Sequence, residues 1–185
     1  DPFWPLTAEG YAVPDEGWLK RTGAPPRKHR LSSTLADWHA DWPVMAVSWG
    51  DALAYARWRS LREGRLYTLT LEAQWELAAR GFDGRNHPWG NGWHDQLCNF
   101  RDAFPGATKP ATIQEFPFDE SPFGGRGMAG NSGDWGLNDP GDKYRGLRPV
   151  RGGAWVHVPS MCRTHRRSGQ GYRTPFMAAG IRLLG

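Results

Sequence analysis

Cysteine is scarce in this chain, with only Cys98 and Cys162 among 185 residues. Two cysteines exclude a disulfide framework; a single bridge stays open, although two small buried thiols are the favoured interpretation. Cys-x-x-Cys, His-x-x-x-His and glycine-rich phosphate loops are absent, so the sequence gives no support for zinc or nucleotide sites. No apolar run approaches the ~20 residues that cross a bilayer, and we expect no membrane insertion.

Acidic residues are missing from the end of the chain. After Asp142 there is no Asp or Glu. Eight arginines lie in that stretch: Arg145, Arg148, Arg151, Arg163, Arg166, Arg167, Arg173 and Arg182. Within it, residues 151–155 and 180–184 are patterned like short strands, whereas the residues between them follow neither a helical nor a strand period. This pattern favours a binding surface.

Tryptophan, glycine and proline are abundant, at 11, 24 and 15 residues. That mixture predicts a single domain, residues 1–185, in which large aromatics pin irregular backbone. Residues 1–43 have little periodicity and are expected to wrap the domain as extended chain. From Phe82 to Pro149 no period persists, which predicts long loops held by other contacts.

Two helices are predicted. Ser48 and Asp51 form a capping box that opens the first helix, and Gly64 is its expected C-cap. The second is expected to begin at Thr70 as N-cap, to bury Leu71, Trp75 and Ala78, and to end at Gly81.

Six motifs occur in an order that resembles the sulfatase-modifying-factor domain, the fold of formylglycine-generating enzyme and a variant of the C-type lectin fold. The motifs are Pro43-Val44-x-x-Val47-Ser48-Trp49-x-Asp51-Ala52, Thr70 to Gly81, Pro88-Trp89-Gly90-Asn91, Gly127-Met128-Ala129-Gly130-Asn131 with Asp134-Trp135, Arg151-Gly152-Gly153-Ala154-Trp155, and Gly180-Ile181-Arg182. The resemblance implies an α+β fold with two helices, small antiparallel sheets and long loops.

The same resemblance bears on activity. Enzymes of that family hold copper with two cysteines near the C-terminal motif, whereas residues 158–164 of this chain contain only Cys162. A lone thiolate is a poor Cu(I) site, so we expect a domain that is not an enzyme and requires no cofactor. A copper-dependent oxidase stays open as an alternative because Cys98 could approach Cys162 in the fold.

The resemblance also suggests calcium. The loop from Gly130 to Trp135 corresponds to one that binds an ion in family members, and Asn131 and Asp134 keep the required oxygen chemistry. The competing interpretation is that both side chains hydrogen-bond within their own turn. A structural calcium ion at Asn131 and Asp134 is therefore an expectation to be tested.

The tail further resembles the variable proteins of diversity-generating retroelements, which display mutable residues on a constant lectin-like scaffold. The resemblance implies binding of a protein or other macromolecular ligand, and the alternative is an undiversified sensor domain attached to a bacterial kinase. The displayed residues would be Val156, His157, Val158, Ser160, His165, Arg166, Ser168, Tyr172, Thr174 and Phe176. The constant frame would be Trp155, Pro159, Cys162, Arg163, Arg167, Arg173, Gly180 and Arg182.

Two observations temper that interpretation. Adenine-only changes of an Asn codon cannot produce Met or Gln, so Met161, Gln170 and Met177 must be constant or derive from other codons. Nucleic acid is not the expected partner, because Arg163, Arg167 and Arg182 are expected to pair with carboxylates of the scaffold. Candidate carboxylates are Glu72, Glu76, Asp119 and Asp134.

Overall fold

The computed structural model describes residues 41–105, 108–138, 146–173 and 175–185. The expected wrap over residues 1–43 lies almost wholly outside these ranges, as does Thr174. No helix within the described ranges is both long and apolar enough to cross a membrane.

Helix α1, Trp49–Glu63, confirms the first predicted helix. The Ser48 hydroxyl accepts from the Asp51 amide, and the Asp51 carboxylate accepts from the Ser48 amide at 2.8 Å. Gly64 ends the helix in the left-handed conformation. Each of these signals lies within one helical turn, and the helix begins and ends where the sequence predicted.

Helix α2, Glu72–Arg80, confirms the second, but its predicted start is wrong. The N-cap is Leu71, which is exposed rather than buried. Gln74 Oε1 accepts from the Leu71 amide, and Asn138 Oδ1 accepts from the Glu72 amide at 2.8 Å. A side chain 66 residues away therefore caps this helix in place of Thr70.

Within the described ranges, six short strands form two sheets. They are β1 Thr68–Leu69, β2 Gly133–Trp135, β3 Leu147–Arg151, β4 Arg167–Gly171, β5 Ala179–Gly180 and β6 Leu183–Leu184. Strands β1 and β6 pair antiparallel, and the larger sheet has the order β4-β3-β2-β5. Strands β2 and β5 run parallel, so this sheet is mixed rather than wholly antiparallel as predicted. The α+β, C-type-lectin-like architecture with small sheets and long loops is confirmed.

The main hydrophobic core lies between α1 and the four-stranded sheet. Ala52 of α1 packs there with Leu69, Trp135, Val150 and Ala179. Tryptophan supplies much of the remaining apolar volume: Trp75 and Trp155 are buried in neighbouring clusters. Because aliphatic residues are few, these indoles fix the backbone on which the tail is built.

The long loop between α2 and β2 is held by buried polar groups. Asp119 is fully buried and accepts hydrogen bonds from the backbone amides of Met128, Ala129 and Gly130. Burial raises the pKa of Asp119 to about 6, although these three amide bonds oppose the shift. A single carboxylate thereby fixes three successive residues of a segment that has no regular structure of its own.

Candidate functional site

The tail leaves the sheet at the end of β3 through two closely packed glycines. A Cβ on Gly152, whose φ is +77°, would lie 3.0 Å from the Met128 carbonyl oxygen. A Cβ on Gly153 would lie 2.6 Å from Cys162 Sγ. The Gly-Gly pair lets this turn pack directly on the core, which positions Trp155 inside the domain and the residues after it at the surface.

The expected displayed residues fall into three groups. Val158, Ser160 and His165 are exposed, and Thr174 lies outside the described ranges. Half-buried are Val156, His157, Arg166, Ser168, Tyr172 and Phe176. The expectation of free display is wrong for Val156 and Phe176, because both pack against the cluster that contains Trp155. These two apolar side chains belong to the scaffold.

His157 is tied into the fold by the neighbouring loop. The Arg101 amide donates to the His157 carbonyl at 2.9 Å, and Arg101 Nε donates to the Val156 carbonyl at 3.0 Å. Burial lowers the pKa of His157, and the positive charges of Arg166 and Arg101 lower it further. At neutral pH this imidazole is therefore uncharged and lies in a basic environment.

Three arginines were expected to pair with carboxylates. Arg182 Nε donates to Asp134 Oδ2 at 2.6 Å, which confirms one pair. Arg167 Nε lies 3.6 Å from Glu72 Oε1, a longer contact from a half-exposed side chain. Arg163 is exposed and pairs with no carboxylate of the described residues, so its expected pairing with Glu72, Glu76, Asp119 or Asp134 is wrong.

The sequence did not identify Arg151 as the main buried cation. Its side chain is fully buried and donates to Glu76 Oε2 at 2.6 Å, to the Thr164 carbonyl at 2.9 Å and to Glu72 Oε1 at 3.4 Å. The guanidinium also lies over the ring of Trp75. Arg151 thereby ties α2 to the start and the middle of the tail.

Aromatic and basic side chains alternate beside β4. The Arg148 guanidinium lies 4.6 Å from the ring centre of Trp49 and 5.9 Å from that of Tyr172. The Arg173 guanidinium lies 5.2 Å from the Tyr172 ring. Tyr172, one of the expected displayed residues, is thus held between two cations at the end of the strand.

The structure brings Cys98 and Cys162 together. Both thiols are free and fully buried in one cluster with Phe100 and Ala129. A hydrogen bond with the Cys162 side chain, together with burial, raises the pKa of Cys98 far above its usual range. The expected pair of buried thiols is confirmed. Cu(I) binds cysteine as the thiolate, so both thiol protons would have to leave before this enclosed pair could hold the ion.

The calcium expectation concerns Asn131 and Asp134, which already have protein partners. Asn131 Oδ1 accepts from the Ala111 amide at 2.9 Å. Asp134 Oδ2 accepts from Trp75 Nε1 at 2.8 Å and from Arg182 Nε. Arg182 supplies the positive charge that a cation would bring, so these two side chains do not fit a calcium site as arranged. No group of three His, Cys, Asp or Glu residues in the described ranges could hold a metal ion.

A cavity of about 590 Å³ opens next to this network. Its polar lining includes Asn99, Asp119, Asn131, Asp134 and Arg182. Asn99 is buried and donates to the Lys109 carbonyl, whereas its Oδ1 has no hydrogen-bond partner within the described part of the chain. The cavity lies among the groups that hold the long loop rather than among the displayed residues of the tail.

Comparison with known proteins shows which family and which relatives this chain resembles. Residues 5–185 match the model of the sulfatase-modifying factor enzyme 1-like domain. The chain is 31% identical over 209 residues to a formylglycine-generating enzyme of Thermomonospora curvata, covering 96% of the chain and 61% of that relative. It is 30% identical over 135 residues to an inactive C-alpha-formylglycine-generating enzyme 2 of Bos taurus, covering 68% of the chain and 42% of that relative. The chain therefore spans about half the length of these relatives.

Two solved structures share the fold. PvdO from Pseudomonas aeruginosa superposes with a TM-score of 0.71 at 22% identity, over 91% of this chain and 74% of its own. Treponema denticola variable protein 1 superposes with a TM-score of 0.67 at 18% identity, over 96% of this chain and 81% of its own. Taken with the match over residues 5–185, these findings show that the chain belongs to the family of sulfatase-modifying factor enzyme 1-like domains.

Proposed function

We propose that this domain is a ligand-binding module and that its binding face is the exposed part of the tail between residues 156 and 173. The face consists of Val158, Ser160 and His165 together with the exposed arginines around them. Its base is rigid, because Trp155 and Arg151 are buried beneath it. Side chains on a fixed backbone lose little conformational entropy when they bind a ligand.

The observation that carries this proposal is a difference in charge pairing. Arg151 and Arg182 each reach a carboxylate at 2.6 Å, supplied by other parts of the fold. Arg163, Arg166 and Arg173 reach none among the described residues, and the tail itself contains no acid. Cations that have no carboxylate partner among the described residues are available to an acidic ligand.

Diversification of the tail is the more specific form of the proposal. Its support is the fold shared with Treponema denticola variable protein 1, together with the exposure of Val158, Ser160 and His165. The test is the genomic neighbourhood. A near-copy of the segment encoding the tail, adjacent to a reverse transcriptase and differing only at adenines, is the expected finding. Absence of such a copy favours the undiversified sensor domain.

Copper-dependent oxidation is the second candidate, because relatives include formylglycine-generating enzymes and because the two thiols are adjacent. The enclosed, neutral state of Cys98 opposes it. We expect neither Cu(I) binding nor conversion of a cysteine-containing peptide to the aldehyde when the domain is incubated with Cu(I) and oxygen. Aldehyde formation that is lost in Cys162→Ser would establish the oxidase instead.

Selection of ligands tests the binding proposal directly. A random-peptide library displayed on phage is panned against the immobilised domain and, separately, against a variant with Val158→Ser, Arg163→Gln and His165→Ser. We expect sequences that are enriched on the parent domain and fail to bind the variant. Enriched sequences that bind both proteins equally would place the binding face elsewhere, and circular dichroism spectra confirm that both are folded.

A further inference from the structure

Strand β4 forms an open edge of the four-stranded sheet. It pairs on one side with β3, from Arg167 opposite Arg151 to Gly171 opposite Leu147, and it is the first strand in the order β4-β3-β2-β5. In the described part of the chain no strand pairs with its other side. Among the described residues, the five residues of β4 are therefore unpaired on this side.

The direction of the backbone groups of β4 follows from Pro149 on the neighbouring strand. The Pro149 carbonyl accepts from the Gly136 amide, so the backbone polar atoms of Pro149 point towards β2. Gly169, which stands opposite Pro149, then belongs to a non-hydrogen-bonded pair of the β3–β4 ladder. Its amide and carbonyl point out of the sheet, and the same alternation applies to Arg167 and Gly171.

Among the described residues, few hydrogen bonds use these outward amide and carbonyl groups. Arg166 Nη1 donates to the Arg167 carbonyl at 3.1 Å. The backbone amide and carbonyl of Gly169 have no hydrogen-bond partner among the residues that are described. A Cβ built on Gly171 would meet no atom within 4 Å. At Gly171 the strand therefore has no side chain, and no neighbouring atom of the described residues, that would obstruct another backbone.

Positive charge stands at both ends of the strand. Arg163 and Arg166 precede it, Arg173 follows it, and the Arg167 side chain on its first residue is 53% exposed. A second copy of β4 is disfavoured as the partner, because pairing two such edges brings like charges together. Nucleic acid would satisfy the charges but would leave the row of amide and carbonyl groups unused.

We propose that β4 binds an acidic, extended peptide segment, which adds to the sheet as a further strand. Main-chain hydrogen bonds to Gly169 and its neighbours would give affinity, and carboxylates of the peptide would pair with Arg163, Arg166 and Arg173. This inference rests on the proposed binding function and specifies its ligand as an acidic peptide.

The first experiment uses the whole domain and synthetic peptides that alternate Glu and Val. Isothermal titration calorimetry measures the affinity of the domain for this Glu-Val peptide and for an otherwise identical peptide in which alternate backbone amides are N-methylated. A Lys-Val peptide and a single-stranded oligothymidylate are measured in the same way. We expect the Glu-Val peptide to bind and the N-methylated peptide to lose affinity by about tenfold or more, since methylation removes donors and blocks the edge. The Lys-Val peptide and the oligothymidylate are expected not to bind.

Variants of the domain locate the site. Gly169→Pro removes the outward amide of an edge residue, a change that edge strands tolerate, and we expect it to abolish binding. The double variant Arg163→Gln with Arg173→Gln is expected to bind the Glu-Val peptide with roughly tenfold lower affinity at low salt, and with a smaller loss at high salt. Arg57→Gln with Arg62→Gln removes two exposed arginines of α1 and is the matched control, with affinity unchanged.

The possible results separate the two proposals. Equal binding of the methylated and unmethylated peptides overturns strand addition, even if Gly169→Pro fails to fold. Binding of the oligothymidylate, or equal binding of the Lys-Val peptide, overturns the acidic peptide. If the Glu-Val peptide does not bind, this inference fails, and the proposed binding function is still decided by the library selection on the parent domain and its tail variant.

Discussion

The loop from Asn99 to Asn131 and the tail from Gly152 to Arg173 differ in how their polar groups are satisfied. Neither segment has a persistent hydrophobic period. The loop satisfies its polar groups internally, because the buried Asp119 accepts hydrogen bonds from three of its backbone amides. The tail leaves Arg163 and Arg173 exposed without a carboxylate from the described residues. Irregular sequence therefore does not distinguish a scaffold loop from a binding segment, whereas the pairing of its charged groups does.

The largest expected effect comes from breaking the joint between the scaffold and the tail. Arg151→Met leaves Glu72 buried without its main partner, and the loss of one member of a buried ion pair costs about 3–5 kcal/mol. Urea unfolding measures the change. Arg163→Met in the exposed part of the tail is the matched control, with an expected change below about 0.5 kcal/mol. Equal losses in the two variants would contradict the division between scaffold and display.

A smaller effect is expected in the loop. Asp119→Asn keeps the shape of the side chain but turns one acceptor into a donor that faces backbone amides, which we expect to cost about 2 kcal/mol. The same substitution at exposed Asp102 is the control. Unfolding in urea compares the variants with the parent domain. An unchanged midpoint in Asp119→Asn would show that the carboxylate does not hold the loop.

Lower pH tests the contact with the tail made by His87, which lies between α2 and the loop. Its ring Nδ1 lies 3.0 Å from the Cys162 carbonyl oxygen, and burial lowers the pKa of His87, with Arg163 and His165 contributing. The unfolded state therefore binds the proton more tightly, so the contribution of His87 to stability is present above pH 6.5 and is lost as the pH falls below that value. We expect the parent domain to lose more stability than His87→Gln between neutral and mildly acidic pH in urea titrations. If the free energy of unfolding of both proteins falls equally with pH, His87 does not contribute in this way.

The smallest effect is expected from calcium. Arg182 already neutralises Asp134, so addition of calcium or of a chelator should shift the melting temperature by less than about 2 °C. Differential scanning fluorimetry makes this measurement on the parent domain. A rise of several degrees with calcium would restore the ion predicted at Asn131 and Asp134, and would require Arg182 to leave Asp134.

Prediction from sequence succeeded where the determinants were local and failed where they were distant. The Ser48 and Asp51 capping box lies within four residues, and it placed α1 correctly. Thr70 was expected to cap α2, but Asn138, from a different loop, accepts the hydrogen bond from the Glu72 amide with its Oδ1. Only the folded chain brings those residues together.

The same limit applied to the candidate site. The family resemblance placed Trp155 in the constant frame, and the structure buries Trp155 just after the closely packed Gly152 and Gly153. The expected displayed set nevertheless included Phe176, which packs in the core. An aperiodic segment provides no hydrophobic pattern that separates inward from outward side chains.

The sequence by itself determined the family, the two helices and the basic character of the tail, because motif order, caps and composition are written along the chain. The tertiary structure decided which arginines pair with carboxylates: Arg151 and Arg182 meet carboxylates from other segments, whereas Arg163 and Arg173 meet none in the described part of the chain. It also brought Cys98 to Cys162 and placed β4 at the edge of the sheet that the described residues form. Charge pairing, thiol contact and strand order depend on distances between residues far apart in sequence, and those distances are fixed only by packing around the core.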